Sequence, residues 1–192
     1  MRLFAFAFLL ASGCRESDVH VYRVAKEDPD ATVGVSALIA ASPAASSETA
    51  GLPVTWKTPA GWKSGAPSGM RLASYDFAGA DISVVAIPGE AGGELANVNR
   101  WRGQLGLPGI SQQELAARAA RVKSGAGALL VVDFTGKDPQ GRIPGKARLL
   151  GAILALDDKQ WFFKAMGAEA AVAKAKPSFM DFLRSLKRAS NS

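Results

Sequence analysis

The apolar positions along the chain change their period several times, and each change marks an element. Residues 70–77 and 80–87 alternate side chain by side chain: Met70 and Leu72 lead into Tyr75 and Phe77, and Ile82, Val84 and Ala86 oppose Ser83, Val85 and Ile87. Period two is the mark of a strand, and Ala78-Gly79 between the two runs predicts a hairpin. A shorter strand is expected at residues 54–57. It is followed by Thr58-Pro59-Ala60-Gly61-Trp62, a turn in which Pro fixes one dihedral and Gly frees another.

From Glu94 the period becomes helical. Leu95, Val98, Trp101 and Leu105 fall on one face, which predicts a helix over residues 94–105. Ser111-Gln112-Gln113-Glu114 reads as a capping box, the hydroxyl accepting from the backbone and the carboxylate reaching back; it starts a second helix that runs to about residue 120. Residues 128–135 are almost continuously apolar, from Leu129 to Val132 with Phe134, as a central strand is. A loop broken by Pro and Gly follows at 137–146. Residues 147–156 and 160–166 then predict a hairpin turning at Asp157-Asp158-Lys159, with Leu149, Ile153, Trp161 and Phe163 as its large side chains. A closing helix is expected over 168–188, broken or kinked at Pro177, with Phe179, Phe182, Leu183 and Leu186 at helical spacing. This order of elements predicts an α+β fold, an antiparallel β-sheet covered by helices.

The first 51 residues sustain none of these periods over a full element. After Arg2 comes an unbroken apolar run from Leu3 to Ala11, too short to cross a bilayer, which takes about 20 residues in a helix. A charged start, a short apolar centre and small residues at the end fit a secretory signal. The run closes on Ala11-Ser12-Gly13-Cys14, which resembles the lipobox of bacterial lipoproteins. That resemblance implies cleavage before Cys14, a diacylglyceryl and palmitate-modified Cys14, and attachment to a membrane of the cell envelope. Arg15 after the Cys, rather than Asp, implies the periplasmic face of an outer membrane. The expected organisation is a signal peptide at 1–13, a lipidated N-terminus and Ala/Ser/Pro-rich tether at 14–51, and a globular domain at 52–190. Within the tether, residues 18–24 alternate loosely, as an added edge strand would, and carry the lone His20 as a solvent-facing residue.

Charge follows the same division. The 192-residue chain has a net charge of +6, yet residues 14–51 hold −3 and residues 52–192 hold +8. A basic domain favours anionic surfaces and polymers without specifying one. A single Cys and a single His exclude an intrachain disulfide and a Cys/His zinc site. No Ser-x-x-Lys, His-Glu-x-x-His, calcium-loop or Walker pattern occurs, and Gly125-Ala126-Gly127 lacks the third glycine of a dinucleotide fingerprint. Asp157-Asp158 is explained by its turn. The sequence therefore predicts no catalytic residue, no metal, no cofactor and no nucleic-acid partner, and a protein that is not an enzyme.

The Thr58–Trp62 turn after a strand, the hairpins, the helical crossover and the closing Phe182-Leu183-Arg184-Ser185-Leu186 resemble the PsbP and Mog1 families across residues 52–188. That resemblance implies an α/β/α sandwich. Asn97-Val98-Asn99-Arg100-Trp101-Arg102-Gly103-Gln104-Leu105-Gly106 is similar to the signature of an uncharacterised family of predicted bacterial lipoproteins, which brings no known activity.

The same segment supplies the candidate site. Asn97, Arg100 and Gln104 stand at i, i+3 and i+7 on the predicted helix, with Asn99 and Arg102 beside them. Amide and guanidinium donors so spaced can hold a carboxylate, a phosphate or a sugar hydroxyl, or can bond to loop backbone such as the 89–93 turn and fix the helix. Trp56, Trp62 and Trp161 read as core residues rather than sugar platforms. Two functions fit: a non-catalytic module that meets an envelope protein or cell-wall polymer through its basic face, and a small-ligand carrier with a polar pocket at the Asn97–Gln104 helix.

Overall fold

The computed structural model describes residues 51–66 and 68–189. Cys14, Arg15, His20, the 18–24 stretch and the signal and tether assignments lie outside the described residues. In chain order the elements are β1 (Val54–Thr55), β2 (Lys63–Gly65), β3 (Arg71–Phe77), β4 (Ala80–Pro88), α1 (Gly93–Gly103), α2 (Gln112–Arg118), β5 (Ala120–Ser124), β6 (Gly127–Gly136), β7 (Ala147–Leu156), β8 (Lys159–Ala168), α3 (Glu169–Ser185) and β9 (Lys187–Arg188). Seven strands form one antiparallel sheet in the order β2-β3-β4-β8-β7-β6-β5, and β1 pairs with β9 beside it. The fold is α+β, an antiparallel sheet covered by helices, as the alternation of periods predicts.

Side-chain alternation divides the sheet into two apolar faces. One face presents Tyr75, Ile82, Val84, Leu129, Ala152, Trp161 and Phe163 to Val172, Phe179, Phe182 and Leu183 of α3. Trp56 and Trp62 join this layer. The Trp56 indole donates to the Tyr75 hydroxyl at 2.9 Å and that of Trp62 to Ser178 at 3.1 Å, so both buried rings keep a partner for their N–H. The opposite face presents Leu130, Val132, Phe134, Leu149, Ile153 and Phe162 to Val98, Trp101, Leu105 and Leu115 of the α1–α2 region. Trp101 seats where Gly151 has no side chain, and Leu105 where Gly136 has none. These two glycines let α1 lie close against the β6–β7 half of the sheet.

Four details differ from the expectation. Residues 63–65 form a strand although all three side chains are exposed and no apolar period announces them; register with β3, Lys63 opposite Asp76, supplies the order. The second helix stops at Arg118, and residues 120–124 become an edge strand paired through Ala120↔Val131 and Val122↔Leu129. α3 runs unbroken past Pro177. Pro177 and Ala173 are both exposed, so water can reach the Ala173 carbonyl that loses its helical partner. The last residues of the expected helix, 187–188, instead pair with β1, and the Ala189 N–H donates to the Pro53 carbonyl at 2.9 Å.

Candidate functional site: a cationic groove beside α1

α1 covers only part of its face of the sheet. Over β3, β4 and β8 that face stays open, and its alternate residues become the floor and walls of a groove of about 260 Å³ lined by Met70, Arg71, Ser83, Val85, Ile87, Phe162 and Lys164 with Asn97, Arg100, Trp101 and Gln104 of the helix side. A second depression of about 560 Å³ shares Arg71, Gln104 and Lys164 and extends to Gln140, Arg142 and Ile143 of the loop between β6 and β7.

The five sequence candidates divide between two jobs. Asn97 is 2% exposed. Its amide donates to the carbonyls of Ala91 at 2.8 Å and Gly93 at 2.7 Å, which closes the loop entering α1. Asn99 bonds both ways with Ile110, its Nδ2 donating to the carbonyl at 3.0 Å and its Oδ1 accepting from the N–H at 2.8 Å. The buried Arg102 donates to the Pro108 carbonyl at 2.8 Å, and its guanidinium lies 4.9 Å from the Phe134 ring centroid. These three side chains hold the segments on either side of α1. Arg100 and Gln104 face the groove. Arg100 is exposed and donates to Asn97 Oδ1 at 2.6 Å, which steadies its guanidinium at the rim. Gln104 Oε1 accepts from Lys164 Nζ at 3.3 Å.

Lys164 is the group that sequence reasoning missed. It stands on β8 between Phe163 and Ala165, on the α1 side of the sheet, with Phe162 and Met166 as its neighbours on that side. Burial lowers its pKa, against a smaller raising influence from Asp81 and lowering ones from Arg71 and Arg142. Among the described residues it forms no ion pair. The available signal was a lone charge inside the apolar run 161–166, since Lys is rarely taken far from water without a partner.

Its neighbours are already paired. Arg71 grips Asp81 with two hydrogen bonds of 2.7 and 2.8 Å, and this donation to the Asp81 carboxylate raises the guanidinium pKa. Asp138 accepts from the backbone of Gln140, Arg142 and Ile143 and from the Arg142 side chain, so one buried carboxylate sets the turn that brings Arg142 to the outer depression. With Arg71 and Arg142 each matched by a carboxylate, the uncompensated positive charge of the groove resides on Lys164 and Arg100.

No protein-family model and no curated protein sequence matches the chain. Among solved structures the chain is similar to a protein of Bacteroides thetaiotaomicron, at a TM-score of 0.46 and 10% identity over 72% of this chain and 46% of that one, so it spans less than half of that protein's length. It is also similar to the cyanobacterial PsbP (CyanoP) of Synechocystis, at 0.45 and 12% over 71% of this chain and 87% of that one. LpqN of Mycobacterium tuberculosis, a protein involved in cell envelope biogenesis, is similar at 0.40 and 10% over 71% and 83%.

Two further predicted features lie away from the groove. Trp56, Trp62 and Trp161 are all buried in the layer beneath α3. Asp157 sits in the β7–β8 turn, at φ 55°, and accepts from Arg188 at 2.7 Å. Among the described residues no group of three His, Cys, Asp or Glu side chains is arranged to hold a metal ion, and no helix is long and apolar enough to cross a membrane.

Proposed function

We propose that this protein is a lipid-anchored, non-catalytic binding module of the cell envelope, tethered through Cys14 to the periplasmic face of an outer membrane, and that it captures a small ligand in the groove beside α1. The observation that carries the binding reading is the convergence of Arg100, Gln104 and Lys164 on one open cavity from two different elements. A half-buried cation whose hydrogen-bond partner among the described residues is an amide, with no carboxylate paired to it, is costly to keep unless something else uses it. The lipobox-like end of the apolar run, Ala11-Ser12-Gly13-Cys14, supports the anchor. Two acyl chains or more at Cys14 hold a domain on a membrane stably, and a tether of 38 residues leaves that domain room above the headgroups.

Native mass spectrometry of protein taken from its own membranes tests the groove. The wild-type chain is expected to carry a small-molecule mass that the Arg100→Ala/Gln104→Ala variant lacks at an unchanged melting temperature; retention of that mass by the variant overturns the groove as the site. For the anchor, a Cys14→Ser chain that still incorporates labelled palmitate and sediments with membranes sinks the assignment.

A further inference from the structure

The groove's lining is mixed in chemistry. Val85 and Ile87 of β4 are half-buried on the open face, Phe162 continues the apolar floor on β8, and Met70, 72% exposed, stands at the mouth as the one large hydrophobic side chain exposed among the described residues. Lys164, Arg100 and Gln104 line the same groove. We infer that the groove takes an anionic amphiphile, its carboxylate or phosphate head held by Lys164 and Arg100 and a short apolar chain laid over Val85, Ile87 and Phe162 toward Met70.

This ligand class rests on the groove reading and goes beyond it. An inorganic anion would leave Val85, Ile87 and Met70 uncovered, and an exposed apolar wall beside fixed polar groups is the usual composition of a site for a mixed ligand. A wholly apolar ligand would bury the Lys164 ammonium without a counter-charge, which is the costlier of the two errors. A head on the cationic side chains and a chain along the apolar floor satisfy both requirements together. The volume of about 260 Å³ lies just under the ~300–1,000 Å³ range of small-molecule sites, so it admits a head and a short chain rather than a long lipid tail.

The test uses the full chain in phosphatidylcholine nanodiscs and isothermal titration, with the heat from empty discs subtracted. Octyl phosphate and octanoate are the anionic amphiphiles, inorganic phosphate the head alone, and octyl glucoside the neutral amphiphile. At least one anionic amphiphile is expected to bind, with inorganic phosphate and octyl glucoside each weaker by roughly tenfold or more. Lys164→Met, which keeps the side-chain bulk and removes the charge, should weaken that binding by a similar factor without lowering the melting temperature. Ile87→Ser should weaken octyl phosphate while leaving inorganic phosphate unchanged. Equal affinity for octyl glucoside, equal affinity for inorganic phosphate, or full binding by Lys164→Met overturns the inference. Failure of both anionic amphiphiles, alongside a groove-dependent mass in the native spectrum, overturns the ligand class and leaves the groove standing; a native spectrum without that mass removes both.

Discussion

The Trp101 indole fills the space that a side chain on Gly151 would need. The contact fixes how far α1 lies from the sheet, and with it the height of the groove wall that carries Arg100 and Gln104. A methyl group at this position collides with the six-membered part of the ring, and neither partner can swing away, because Trp101 is packed edge-on against Phe162 at 6.1 Å and Gly151 belongs to a central strand. Gly151→Ala is expected to cost about 1–3 kcal/mol, the usual penalty of overpacking a close-fitted core. Thermal or urea unfolding measures it, and a variant as stable as wild type would show that α1 can lift freely.

Asn99 holds both backbone groups of Ile110. Removing the amide leaves a donor and an acceptor without partners at a partly buried site, so Asn99→Ala should lose about 1–3 kcal/mol. Hydrogen exchange locates the effect: the Ile110 amide is expected to lose protection, whereas strands β3 and β4 keep theirs.

Asp133 on β6 accepts from Arg148 at 2.7 and 2.6 Å and from Lys176 of α3 at 2.9 Å. Burial pulls its pKa upward, but the hydrogen bonds and charges of Arg148 and Lys176 outweigh that effect and hold it below the ordinary carboxylate value. A depressed folded-state pKa stabilises the fold above the unfolded value near ~3.9 and loses that contribution as the pH falls through the folded value. Asp133→Asn should therefore be less stable than wild type near neutrality, and the gap should close in acid. Urea midpoints at several pH values decide the matter; a gap independent of pH would refute the ion pair as its source.

Lys164 works in the opposite sense. Burial disfavours its charged form, so the folded state carries a penalty at neutral pH that is relieved as the pH rises through its lowered folded pKa. Lys164→Met is expected to raise the melting temperature by a few degrees at neutral pH and to lose that advantage in alkali. A variant that melts lower at neutral pH would mean that the ammonium stabilises the fold and is not held there for a ligand.

How much of this was legible depends on where each residue's partners sit. The α1 stripe of Val98, Trp101 and Leu105 and the alternation of β3 and β4 showed in the sequence because burial there follows one local period. The strands β2 and β5 did not, because Lys63-Ser64-Gly65 and Ala120-Arg121-Val122-Lys123 are ordered by edge pairing with a neighbour, which leaves no apolar pattern. Within the candidate site, spacing placed Asn97, Arg100 and Gln104 on one helix but could not separate a loop clamp from a groove wall; that separation depends on Ala91, Gly93 and Lys164, which belong to other segments. Lys164 drew no reading from the sequence, since nothing within residues 160–166 shows that Gln104 lies against it.

The order of the sheet also constrains when the domain can form. β4 lies between β3, its immediate neighbour in sequence, and β8, which is made much later, with Asp81 opposite Met166 and Val84 opposite Phe163. The two hairpins that make up the groove floor therefore remain separate until residues 159–168 are available, and the long separation between partners favours slow closure. A chain still emerging from its synthesis lacks that strand, and so cannot seal its core, or present Lys164 beneath α1, before its last hairpin arrives.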